Sequence, residues 1–210
     1  MSARIYVEGG ASGPRQDGGS SKYLTIQCQQ AFHALLTRMG FNGRKPRLVA
    51  CGGRDKVYAR FCTALQSGGA DGYVAMWIDS EEPLLDIEQV WNHLAALTTV
   101  APWPRPCGAK DDQVLFMTTC METWIVADRS ALRNHYKDGL NENQLPALVS
   151  LETRTRNEVQ TALINATKNC RNAFAKGKPS YEVFQKIQPE ALKPHLPGFV
   201  RVIRILREKL

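Results

Sequence analysis

The sequence predicts an α/β protein: a mostly parallel sheet flanked by helices, with a basic helical extension at the C-terminal end. Three observations predict it. Residues 4–7, 48–51 and 73–78 are short apolar runs of strand character bounded by turn residues. The segments between them, 23–39 and 55–65, repeat apolar side chains at three and four, the spacing of a helix face. The third run, Tyr73-Val74-Ala75-Met76-Trp77-Ile78, is apolar throughout, as suits a strand covered on both faces in the middle of a parallel sheet. The resulting β-α-β-α-β order has connections long enough for right-handed crossovers, which is the doubly wound class.

Taken in order, the first run ends on Glu8 and then Gly9-Gly10, where glycine lets the backbone turn tightly and leaves room for a ligand. The Gly/Ser-rich stretch 11–22 suits a phosphate cradle or a plain surface loop, and lacks the GxxxxGK[ST] order of a Walker loop. Leu24, Cys28, Ala31, Phe32, Leu35, Leu36 and Met39 form the core face of the first helix, which Gly40 ends. Leu48-Val49-Ala50-Cys51 stops at Gly52-Gly53-Arg54, and Asp55 is the expected N-cap of helix 55–65. Arg54 and Lys56 stand at that helix start, placed to meet a phosphate or to flank the turn as solvated charges. Pro83 keeps the third strand from continuing past Asp79-Ser80-Glu81-Glu82.

A short helix near 87–97 and a fourth strand over 113–117 follow, then a helix from 120 to about 136 with Glu122 near its start, where its charge suits the dipole. The rest reads as helices over 154–168, through Phe184 and Ile187, and over 199–210, where Arg201, Arg204 and Arg207 form a positive ridge. The expected organisation is a core over 1–130 with an extension over 131–210 packed on it, the two forming one compact unit.

Among the 210 residues, 43% hydrophobic and 22% charged content excludes wholesale disorder. Lys plus Arg exceed Asp plus Glu by 27 to 20, a net +7 that modestly favours an anionic partner. The six cysteines show no CxxC pair, which argues against structural zinc. With no signal-peptide apolar region before the first strand, they read as reduced, mostly buried thiols of a cytoplasmic protein. No apolar run approaches a membrane span.

The chemistry concentrates in acids at strand ends. Glu8 closes the first strand and Asp79 and Glu81 the third, at the sheet edge where ligands of α/β proteins bind. Three carboxylates are hard oxygen donors, suited to Mg²⁺ or Mn²⁺ rather than zinc. Asp79 and Glu81 would repel in a continuing strand but turn toward one cation if the loop curls; a solvated acidic turn is the alternative.

Val7-Glu8-Gly9 after the first strand, with Asp79-x-Glu81 after a later one, resembles the Toprim fold of type IA and II topoisomerases, bacterial primases and OLD-type nucleases. Nearly the whole chain is similar to a small Toprim-related prokaryotic family classed only as a domain of unknown function. Carrying this are Val49-Ala50-Cys51-Gly52-Gly53-Arg54, Cys120-Met121-Glu122-Thr123-Trp124, Ala127-Asp128-Arg129, Ala166-Thr167-Lys168, Lys176-Gly177-Lys178 and Ile187-Gln188-Pro189. The resemblance implies a Toprim-like fold and Mg²⁺ or Mn²⁺ held by Glu8, Asp79 and Glu81, with Glu81 in place of the usual second aspartate. It implies a nuclease in which Glu122 and a late lysine, Lys178 or else Lys168 or Lys176, join the catalytic acids; Asp128 is a further acid, and Glu8 an alternative general base. Gly9, Gly10, Arg54, Lys56, Lys168 and Lys176 would contact nucleic-acid phosphate, DNA ahead of RNA. Relatives resemble companions of ABC-type ATPases in anti-phage defence, so an ATPase partner is implied, with a homo-oligomer left open. The competing expectation is a non-catalytic subunit docked on such an ATPase; a phosphatase or nucleotidyl transferase at the same metal site also stays open.

Overall fold

The computed structural model describes residues 3–10, 18–67 and 72–210; the Gly/Ser-rich residues 11–17 lie outside the described residues. Strands β1 (Arg4–Val7), β2 (Arg47–Ala50), β3 (Val74–Asp79) and β4 (Val114–Met117) form one sheet in the order β2-β1-β3-β4. All three pairings are parallel, with Val7 opposite both Ala50 and Trp77, and Asp79 opposite Met117. The architecture is α/β and Rossmann-like. The chain leaves β1 toward β2 on one side and returns with β3 on the other, so the strand order reverses between β1 and β3. At such a switch point the flanking connections diverge and open a crevice beyond the strand ends. Glu8 and Asp79 flank that crevice.

The two-residue alternation of the strands sorts the core. Ile5, Val7, Leu48, Ala75, Trp77, Leu115 and Met117 face one side. They pack there against α1 (Gly18–Arg38) and α4 (Met121–Ala127), together with α7 (Lys178–Phe184) and α9 (Pro197–Lys209). Tyr6, Met76, Ile78, Val114 and Phe116 face α2 (Arg54–Gln66) and α3 (Val90–Ala96). Trp77 joins the larger layer edge-on to Phe32 at 4.9 Å and to Trp124 at 6.0 Å, and Trp124 meets Phe199 at 4.8 Å. These rings are fully buried, each contributing about 2–3 kcal/mol by apolar burial. Helices beyond residue 130, including α6 (Arg156–Thr167), thus share one core with the sheet rather than forming an appendage.

Three expectations are corrected. Gly53, not Asp55, is the N-cap of α2, and Asp55 lies in its first turn. The single helix expected over 120–136 is two, because Asp128 leaves helical geometry at φ −94°, ψ 84° and begins α5 (Arg129–Tyr136). Both its carboxylate oxygens are committed there: Oδ1 accepts from Ala131 N at 2.9 Å and Oδ2 from Gln188 N at 2.8 Å. Asp128 thereby clamps the break between α4 and α5 to the chain at Gln188. The arginine ridge on α9 is largely consumed: buried Arg201 donates to Glu88 at 3.1 Å and to the Val114 and Asp111 carbonyls at 2.8 Å, and Arg204 reaches Glu88 at 2.7 Å. These contacts tether α9 to the edge of the sheet.

The cysteines, expected reduced and mostly buried, are all free, with Cys107 exposed and Cys62 partly so. Among the described residues no helix is long and apolar enough to cross a membrane.

Candidate metal centre

Glu8 leaves β1 and the backbone then reverses through Gly9 at φ +127° and Gly10 at φ +87°, a region open to glycine. Gly9 exchanges two backbone hydrogen bonds of 2.8 Å with Gly52, and Gly10 N donates to Tyr181 Oη at 2.8 Å. A Cβ at Gly9 would lie 2.5 Å from Tyr181 Oη and 2.9 Å from Cys28 Sγ. Glycine is thus required there by conformation and by space.

Asp79 is the last residue of β3 and is buried. Its backbone N–H donates to Glu8 Oε2 at 3.2 Å, and its Oδ1 accepts from Met121 N at 2.9 Å. Beyond it the chain curls. Ser80 N donates to Met117 O at 3.1 Å, Glu81 N donates to Thr119 O at 3.1 Å, and Thr119 N donates to Ser80 Oγ at 2.7 Å. Glu81 sits at φ +68° and Thr119 at φ +57°. Non-glycine residues pay roughly 1 kcal/mol for that geometry, and here the cost is met by hydrogen bonds across the two turns. The left-handed turn swings Glu81 back beside Asp79. Glu82 goes elsewhere: it accepts from Thr98 N at 2.9 Å and Thr99 N at 2.8 Å, and those amides pull its carboxyl down to about 2.

Glu8, Asp79 and Glu81 each offer one oxygen, and the three oxygens lie within 4.8 Å of one another. A cation making bonds of about 2.1–2.5 Å to oxygen spans such a set with slight closure. The electrostatics suit one. Burial, then the Glu81 charge, pushes Glu8 up to about 7, although the Asp79 amide, Arg156 and Arg54 pull the other way. Burial and Glu8 hold Asp79 well above the usual carboxylate range. The acids carry repulsion that one neighbouring guanidinium does not remove and that a dication would.

That guanidinium is Arg156, at the start of α6. It pairs with Glu81 through Nη1, and Nη2 lies 3.4 Å from Asp79 Oδ2. Burial works against its charge, but Asp79 and Glu81 outweigh it and hold it protonated. One turn on, Gln160 Nε2 donates to Glu122 Oε2 at 3.1 Å. Buried Glu122 is outside the converging trio but shares with Glu8 and Asp79 the wall of a cavity of about 230 Å³.

Of the expected phosphate contacts, Gly9, Gly10 and Lys176 line this cavity, as do Gly52 and Gly53. The expected catalytic lysine, Lys178, does not: it pairs with Glu182 at 3.6 Å and lies over the Tyr23 ring. Lys56 and Lys168 are exposed and outside the lining. Arg54 is buried beneath the α2 start, its guanidinium 3.8 Å from the Trp103 ring centre and donating to Ala101 O at 3.3 Å.

Sequence reasoning missed Arg156, Gln160 and Tyr181. The one available signal was Thr155-x-x-Glu158, a capping box whose reciprocal bonds are formed, Thr155 N donating to Glu158 Oε2 at 2.8 Å and Glu158 N to Thr155 Oγ1 at 3.3 Å. It fixes where α6 begins, not which strand ends that helix faces. No curated protein and no solved structure matches the chain. A family model described as "Domain of unknown function (DUF4276)" matches residues 8–207, and the chain belongs to that family.

Proposed function

We propose that the protein is a Mg²⁺- or Mn²⁺-dependent nuclease of Toprim type, acting on DNA in preference to RNA. The observation that carries the reading is the convergence of Glu8, Asp79 and Glu81 beside a cavity at the switch point of the sheet. In this reading the three acids hold the dication. When bound, such an ion polarises a phosphoryl oxygen and eases deprotonation of water. Glu122 would accept a hydrogen bond from the attacking water, and Lys176 on the cavity wall would face the phosphate as its charge grows. The Gly9-Gly10 and Gly52-Gly53 backbones leave space for a sugar-phosphate chain to approach. The Toprim resemblance adds the remaining expectations: a role in prokaryotic anti-phage defence beside an ABC-type ATPase.

One observation favours a second reading, the non-catalytic subunit. Arg156 already pairs with Asp79 and Glu81, as a purely structural ion cluster would be arranged. Incubation with plasmid DNA and Mn²⁺, with and without an ATPase partner, separates the two. The nuclease reading expects cleavage that Asp79→Asn reduces at least 100-fold; equal cleavage by both proteins, or none under either condition, rejects it.

A further inference from the structure

The guanidinium of Arg156 occupies two of the three carboxylates assigned to the metal. Asp79 has given Oδ1 to the Met121 amide, and Oδ2, the oxygen left, lies 3.4 Å from Arg156 Nη2. Glu81 is paired with Nη1 of the same side chain. A dication entering the trio therefore meets a fixed positive charge on the ligands it needs, and like charges at that range repel strongly in a partly desolvated site. Arg156 also has open space beside it. It is the first residue of α6, its side chain is 31% exposed, and it forms part of the wall between the acid cavity and a second cavity of about 440 Å³ bounded by Glu82, Thr155 and Gln160.

We propose that Arg156 is the resident counter-cation of this pocket, that its guanidinium and a dication exclude each other from Asp79 and Glu81, and that the displaced guanidinium receives a phosphate of the substrate. The inference rests on the metal reading above. A guanidinium released from two carboxylates keeps its charge and its planar fork of donors, which matches paired phosphate oxygens. Metal and phosphate binding are then coupled. Each removes an obstacle to the other, and by linkage each tightens the other by the same factor.

The test is calorimetric titration of Mn²⁺ alone into wild type, Arg156→Gln and Arg156→Lys, repeated with a cleavage-resistant phosphorothioate oligothymidylate. Without oligonucleotide, Arg156→Gln is expected to bind Mn²⁺ about fivefold tighter than wild type, the upper end of what one partly exposed ion pair is worth. Arg156→Lys, which keeps the charge but not the fork, falls between. With oligonucleotide, wild type gains affinity and approaches the glutamine variant, which gains little. Thermal melts serve as the folding control: metal-free Arg156→Gln melts lower than wild type and recovers more on adding Mn²⁺. Equal or weaker Mn²⁺ binding by Arg156→Gln overturns the counter-cation role and leaves the metal reading standing. Binding by none of the three proteins overturns both. An oligonucleotide effect of the same size in wild type and Arg156→Gln overturns the phosphate role.

Discussion

Glu8→Gln isolates the electrostatic cost of the acid trio in the metal-free protein. Glutamine keeps an oxygen to accept the Asp79 amide, which reaches Glu8 at 3.2 Å, and removes only the ionisable group. The carboxyl is pushed from 4.5 to about 7 in the folded chain. A group raised on folding contributes stability that is fully present below its unfolded value and is lost as pH climbs through the folded one. At about 1.4 kcal/mol per pH interval of one, the total is about 3 kcal/mol, of which about 2 kcal/mol disappears between pH 5.5 and 8. Urea denaturation of wild type and Glu8→Gln at those two pH values measures it. The variant should gain about 2 kcal/mol on wild type at pH 8 relative to pH 5.5, and a fixed Mn²⁺ concentration should stabilise wild type more than the variant. A difference between the two proteins that stays the same at both pH values would refute the account of Glu8 as a buried, repelled carboxyl.

Three further outcomes follow from the same geometry. Gly9→Ala should destabilise by about 2–4 kcal/mol, because it adds a positive-φ penalty to a 2.5 Å approach to Tyr181 Oη; denaturant midpoints check it. Glu82→Gln should leave Mn²⁺ affinity within about twofold while Glu81→Gln lowers it at least about tenfold, since only Glu81 turns into the trio; titration calorimetry of both separates the neighbours. Lys176→Ala should slow DNA cleavage at least about tenfold and Lys178→Ala less than about twofold, because only the former lines the cavity; initial rates decide it.

The α/β class with a parallel sheet was legible because each strand is a short apolar run bounded by turn residues and separated from the next by a helix-length segment, and local signals of that kind survive in a single sequence. The central place of β3 followed from a run with no polar face. Glu8, Asp79 and Glu81 were legible as strand-end acids for the same reason. Their convergence depends on a feature with no local signature, Glu81 in a left-handed turn at φ +68°, held by Thr119 from the end of another strand. The break at Asp128 was hidden because apolar spacing continues through it; what ends α4 is an aspartate bonded to Gln188, 60 positions away. Lys176 and Lys178 are two positions apart in sequence, and which one faces the acids is decided by how α7 docks on α1. Arg156 was invisible for a related reason. It reaches Asp79 and Glu81 from more than 70 positions downstream, and an arginine opening a helix reads as solvated until the packing of that helix is known.

The most direct measurement is anomalous diffraction from a crystal of the protein soaked in Mn²⁺. One strong peak is expected within about 2.5 Å of oxygens from Glu8, Asp79 and Glu81, with the Arg156 side chain drawn off Asp79. A fully soaked crystal with no peak there, or with the ion held elsewhere while Arg156 keeps both carboxylates, would contradict the metal centre assigned to these acids.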